Sequence, residues 1–139
     1  MPEIKVMKKI LEKLLKDLDC KDKELSVLFT NDSEIAALNE QYRFKPGATN
    51  VLSFPMNEGE SIFATALLGD IVISIETALR EAEKKEIPFI DYLIQLLIHG
   101  LLHLIGYDHE DSEEQAIVME KEEARLLDFT LNHLMNEVA

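Results

Sequence analysis

Residues 87–105 read Ile-Pro-Phe-Ile-Asp-Tyr-Leu-Ile-Gln-Leu-Leu-Ile-His-Gly-Leu-Leu-His-Leu-Ile. The run is long and apolar enough to raise the question of a membrane span. Its polar residues answer it. Asp91, Gln95, His99 and His103 recur at every fourth position, so on a helix they form one stripe on an otherwise apolar cylinder. A carboxylate and two imidazoles inside a bilayer would be costly. The pattern instead predicts a helix buried at the centre of a domain, with a cleft along the polar line. Pro88 suits the first turn of that helix.

The stripe runs into His-Gly-Leu-Leu-His-Leu-Ile-Gly-Tyr-Asp-His, residues 99–109, which holds three of the four histidines. His99 and His103 lie one helical turn apart on one face, a spacing at which two imidazoles can chelate one ion. Gly106 can take the left-handed conformation that ends a helix. That turn would bring His109 round as a third ligand. Three imidazoles leave a fourth tetrahedral position for water, the arrangement of a catalytic zinc rather than a structural one. Asp108 could orient a ligand, act as a base, or serve only the turn. His133 has no such partner and reads as a surface or packing residue.

Bulk properties bound the rest. The chain has 139 residues, 47% of them apolar, which predicts one globular domain over 1–139. The single cysteine, Cys20, excludes a disulfide framework and leaves any zinc to histidines and carboxylates. The lack of disulfides and of a leader-like apolar run in Met1–Ile10 fits a cytoplasmic location. A net charge of −13 argues against general coating of nucleic acid, though not against a local basic groove. Half of the fourteen basic residues precede position 24, while acids crowd Asp108 to Glu123.

The remaining elements follow from periodicity. Residues 4–18 form an amphipathic helix whose lysines mostly face away from its apolar side. Glu24–Thr30 reads as a strand. Asn31 or Asp32 caps a helix that passes through Ile35, Leu38 and Tyr42 and stops before Pro46-Gly47. Thr49–Phe54 reads as a second strand, halted by Pro55. A third is expected over 66–74, around a Gly69-Asp70 break that places Asp70 in a strand-edge turn. A short additional strand could lie at 61–65. A helix then starts at Ser74 or Ile75 and runs to about Lys85. Ser112-Glu113-Glu114-Gln115 starts the last helix, with an apolar stripe of Ala124, Leu127, Leu131, Leu134 and Val138. Met119 and Met135 read as core packing. The whole predicts a mixed α+β domain, a small sheet of about four strands backed by helices, with the buried helix carrying a metzincin-like three-histidine metal site.

That likeness has one exception. Zinc proteases with this spacing carry Glu directly after the first histidine as general base, and here the position is Gly100. The metal geometry is kept while the peptidase chemistry is put in doubt. A metal on neutral imidazoles can lower the pKa of water to about 7 and polarise a phosphoryl or carbonyl oxygen. A phosphodiester also needs a cation for its non-bridging oxygens, which arginine supplies in bidentate form.

The segment 99–109 resembles the signature of the bacterial YbeY family of metal-dependent endoribonucleases. Three further stretches match in order: Leu38-Asn39 with Tyr42-Arg43, Thr49-Asn50-Val51-Leu52-Ser53-Phe54-Pro55, and Leu68-Gly69-Asp70-Ile71-Val72-Ile73-Ser74. The resemblance covers roughly residues 24–127. It implies a zinc ion on His99, His103 and His109, with His99 and Arg43 in the catalytic centre and the general base unassigned. It implies action on single-stranded RNA in 16S rRNA 3′-end maturation and ribosome quality control. The implied partners are rRNA and the small ribosomal subunit, with no DNA or membrane. Many members carry Asp where this chain has Asn50, so a carboxylate role is closed there. With the strong negative charge, RNA contact would follow a local cationic path, for which Arg43, Lys45 and the first-helix lysines are candidates. Ser53 or its neighbours would position substrate. Two other readings stay open: a non-cleaving, metal-stabilised factor that binds rRNA or the ribosome, and a peptidase or amidase, the latter weakened by Gly100.

Overall fold

The computed structural model describes residues 4–56, 67–107 and 112–134, with side chains described for 5–56, 67–107 and 112–132. Among the described residues three strands form one sheet: β1 (Glu24–Thr30), β2 (Val51–Pro55) and β3 (Leu67–Ser74), in the order β1-β3-β2. β3 lies parallel to β1 and antiparallel to β2. Five helices surround it: α1 (Ile4–Asp17), α2 (Asp32–Arg43), α3 (Ile75–Lys84), α4 (Phe89–Leu104) and α5 (Glu113–Phe129), the last continuing into a π-helical turn, Thr130–Leu134. The expected strand at 61–65 lies outside the described residues, so the described sheet has three strands.

β3 is apolar because it is the central strand and is covered on both faces. Ile71 and Ile73 join the main core, made with Leu93, Leu97 and Leu101 of α4, Ile10 and Leu14 of α1, and Met119 and Leu126 of α5. Val72, pointing the other way, packs with Leu52 and with Ile35 of α2. The sheet thus separates the buried face of α2 from the main core. α4 fills the middle of the main core. From Asp91 to Leu104 every residue is buried except Asp91, Gln95, His99 and His103, which are partly exposed. The four-residue polar period is the solvent line of the helix. No described helix is long and apolar enough to cross a membrane, and α3 and α4, which would pass that test jointly, are bent by 118° at their junction.

Several boundaries differ from the sequence reading. Pro88 is the cap before α4 rather than a first-turn residue. β2 begins at Val51, not Thr49, and includes Pro55, which is tolerated because β2 is an edge strand of the described sheet. β3 runs through Gly69-Asp70 without a break. Gly69 has φ +142°, and a Cβ there would lie 2.2 Å from the Phe54 carbonyl oxygen. The glycine allows two strands to approach; it does not end one. Asp70 therefore sits inside the central strand, paired opposite Ser26 and Phe54, and the turn assignment is wrong. The stripe expected on α5 is also misplaced. Met119, Leu126 and Thr130 are the buried line and Ala124 is exposed, while Leu127 and Leu131 pack at the core's margin. Leu134 has no described side chain, and Met135 and Val138 lie outside the described residues. The polar contacts of α5 lie beside its buried line: Glu123 faces α4, and Arg125 forks onto Asp17 of α1 at 2.9 and 3.1 Å.

Asn31 caps α2, its Oδ1 accepting from the Glu34 N–H at 2.8 Å. That frees Asp32 for a larger task. Its carboxylate accepts from Ser74 Oγ at 2.6 Å, Thr77 Oγ1 at 2.5 Å and Arg80 Nη2 at 2.7 Å. These bonds tie the start of α2 to the β3–α3 junction. They favour the charged form, and the hydroxyls of Ser74 and Thr77, then Arg80, lower its pKa to about 2.

Candidate active site

Below α4 and beside the edge strand lies a cavity of about 310 Å³. Three elements build it. α4 contributes His99 and His103, β2 and its approach contribute residues 49–53 and Pro55, and α2 with its exit loop contributes Asn39, Arg43 and Lys45.

The histidines come first. Helical spacing stacks them edge to face, with ring centroids 4.7 Å apart at 77°, and their Nε2 atoms are 3.2 Å apart. Two nitrogens bound to one tetrahedral zinc at 2.0–2.1 Å would be ~3.3 Å apart. The pair is already at chelating separation. Glu123 of α5 places Oε1 2.8 Å from Nδ1 of His99. When Nδ1 donates that bond, the lone pair of Nε2 is turned towards His103.

The cations follow from the end of α2. Arg43 is its last residue, and Phe44 takes a left-handed conformation, φ +58°, that turns the chain. The N–H groups of Phe44 and Lys45 donate back to the carbonyls of Glu40 and Asn39 at 3.2 and 3.3 Å. Buried Asn39 donates its amide to the Gly47 carbonyl at 3.0 Å, pinning the loop from inside. Arg43 and Lys45 thus both line the cavity. No carboxylate does, among the described residues, in a chain whose net charge is −13.

The β2 wall is committed to structure. Ser53 Oγ donates to the Gly100 carbonyl at 3.1 Å, tying β2 to α4. A Cβ on Gly100 would meet Ile71 Cγ2 and Ser53 Oγ, each at 3.1 Å. Position 100 therefore faces the sheet, and a glutamate side chain there would enter the helix–sheet contact. Asn50 donates to Glu81 Oε1 at 2.9 Å, and the Tyr92 hydroxyl donates to the same oxygen at 2.7 Å. Burial, and then Glu81, push the Tyr92 phenol up to about 12.

Some expectations change. The α4 stripe does not line one cleft. Its histidine end opens on this cavity, while Gln95 faces a separate groove with Glu120, Glu123 and Leu127. The α1 lysines do not line the cavity; Lys45 does. Asp70 faces other grooves, with Ser26 and Met56. Asp108 and His109 lie outside the described residues, as does the side chain of His133, and among the described residues no group of three or more His, Cys, Asp or Glu is placed to hold a metal. Met119 is core, as expected. The reading of the sequence missed Glu123, whose partner is 24 positions away, and the Asn50–Glu81–Tyr92 cluster. The acidic run at 113–123 gave no signal to single out one carboxylate.

Residues 3–130 match the family model described as endoribonuclease YbeY. A protein named endoribonuclease YbeY from Syntrophus aciditrophicus is 44% identical over 126 residues, covering 89% of this chain and 79% of its own. One of the same name from Syntrophotalea carbinolica is 45% identical over 125 residues, covering 88% and 83%. The solution structure of a Thermotoga maritima protein superimposes with a TM-score of 0.70 at 26% identity, covering 99% of this chain and 89% of that one.

Proposed function

The chain belongs to the YbeY endoribonuclease family, and on that premise we propose that it is a single-domain, zinc-dependent hydrolase that cuts single-stranded RNA in the cavity between α2, β2 and α4. The observation that carries this reading is the cavity's lining: a chelating imidazole pair and two cations, with no carboxylate among the described residues, in a strongly acidic chain. A phosphodiester is the substrate class that needs both halves of that lining.

His99 and His103 would hold the zinc ion with His109 as third ligand, and the 3.2 Å separation of the first two nitrogens fits an ion of that size. When bound, zinc supplies Lewis acidity towards a phosphoryl oxygen and makes water nucleophilic at neutral pH. Arg43 neutralises the non-bridging oxygens of the scissile phosphate, and Lys45 takes a neighbouring phosphate. Ser53 holds the β2 wall against α4 and acts on substrate only through that wall. The substrate we propose is the 3′ region of 16S rRNA on the small ribosomal subunit, with a role in ribosome quality control.

The test is cleavage of a single-stranded RNA by zinc-depleted protein, zinc-restored protein and the Arg43→Ala variant. Depletion should abolish cleavage and zinc should restore it. Arg43→Ala should keep fold and zinc but lose ~100- to 1000-fold in rate, the usual cost of removing one donor from developing charge. No cleavage in any sample, with RNA still bound, would replace the nuclease by a binding factor. Stoichiometric zinc in His99→Ala would refute the ligand assignment.

A further inference from the structure

Phe44 lies between Arg43 and Lys45 in the chain, does not itself line their cavity, and is 87% exposed. Among the described residues the next most exposed large apolar side chain is Met56, at 57%. The same residue carries the left-handed backbone, φ +58°, that caps α2, where glycine or asparagine is the usual choice. A phenylalanine there is unfavourable twice: its backbone is strained, and its ring gains almost nothing from burial. Among the described residues the ring has little to pack against. Meanwhile the loop that carries it is held rigid, by the two backbone bonds onto Glu40 and Asn39 and by the buried Asn39 amide on Gly47. The neighbouring aromatic, Tyr42, is differently placed, edge-on to Phe54 at 5.5 Å. Phe44 is an exposed aromatic face on a backbone held at its turn, and its two neighbours in the chain are the groups that would hold phosphates.

We propose that Phe44 is a stacking platform for an unpaired nucleobase of the strand whose phosphates lie on Arg43 and Lys45. This rests on the RNA-cleaving function proposed above and adds to it a positioning residue. Stacking on an aromatic face is tolerant of base identity but requires a base that is not paired. Phe44 would thus select single-stranded over duplex RNA beside the scissile bond, without reading sequence.

The experiment measures, by rapid mixing ahead of cleavage, binding of the zinc-loaded full-length protein to a fluorescein-labelled single-stranded 12-mer RNA, and to the same 12-mer with abasic sites, alongside thermal melts. Phe44→Leu, which keeps an apolar side chain, and Phe44→Gly should each weaken binding to the intact RNA by ~5- to 100-fold. Phe44→Trp should keep or tighten it. Binding of the abasic RNA should be unchanged by all three. Phe44→Gly should melt no lower than wild type, because it relieves the left-handed strain. Leu and Gly variants that bind the intact RNA as wild type does would overturn the platform alone. Equal losses on intact and abasic RNA would also overturn it, pointing to displaced cations. Absence of RNA binding by the wild type would overturn the platform together with the function beneath it.

Discussion

Glu123 of α5 reaches His99 of α4 with Oε1 2.8 Å from Nδ1, so the helix after the histidine motif orients the first imidazole of that motif. A carboxylate on Nδ1 fixes the tautomer and makes Nε2 a better donor to a metal. Glu123→Gln keeps the shape but removes the charge. We expect zinc affinity to fall ~10- to 100-fold, measured by competition with a chromogenic chelator, with the melting temperature of the zinc-free protein little changed. Unaltered zinc affinity would reduce the contact to packing.

How much of this was legible in the chain depends on the range of the interaction. The polar line on α4 was readable because its period is local: four residues separate each member, and those four are the partly exposed positions from Asp91 to Leu104. The caps of α2 and α5 were readable for the same reason, since Asn31 and Ser112 each bond a backbone N–H three residues on. What failed was long-range. On α5, Glu123 meets His99 and Arg125 meets Asp17, and no spacing within α5 encodes either contact. Gly69 read as a break because glycine usually marks one, while its cause is a carbonyl on another strand. The convergence of Arg43 with the histidines came from family resemblance, since 56 positions of chain (43 to 99) separate them.

The two buried glycines should respond differently to alanine. At Gly69 the added Cβ would lie 2.2 Å from a backbone oxygen, with φ +142° besides. Neither can be relieved without parting β2 from β3, so Gly69→Ala should cost more than ~3 kcal/mol or prevent folding. At Gly100 the obstacles are side-chain atoms at 3.1 Å and the backbone is helical. Gly100→Ala should cost ~1–3 kcal/mol as overpacking. Urea melts would rank them, and a Gly69→Ala protein as stable as Gly100→Ala would contradict the strand-approach argument.

Asp32 makes stability depend on acid pH. Its folded pKa of about 2 lies below the ordinary value of 3.8, so the unfolded chain takes up its proton first as pH falls. The stabilisation is complete above about pH 5 and is lost as pH falls from the unfolded value through the folded one. Thermal melts of wild type and Asp32→Asn between pH 7 and 2 should show a gap that is constant down to about pH 5 and then narrows. A gap that stays constant to pH 2 would mean the three donors do not favour the carboxylate over the acid.

Asn50 offers the last prediction, because it joins the cavity lining to Glu81 and Tyr92. Its amide donates to Glu81 Oε1 at 2.9 Å, and Tyr92 donates to the same oxygen. Asn50→Asp would replace that donor by an oxygen and set two carboxylates against each other, with only the Tyr92 hydroxyl between them as donor. Like charges at this separation disfavour joint ionisation, and the pair is relieved by binding a proton. A raised carboxyl pKa stabilises the fold at low pH and withdraws that stability as pH rises through it. Asn50→Asp should therefore lose ~1–3 kcal/mol at pH 8 and less at pH 5, by urea melts at both values. The double variant Asn50→Asp with Glu81→Gln, which restores a donor opposite the new acid, should recover most of the loss at pH 8. If the single variant matches wild type at pH 8, Glu81 does not hold Asn50 in place, and the wall of the cavity at that corner is set by the Asn50 carbonyl on the Ser74 N–H, at 3.0 Å, alone.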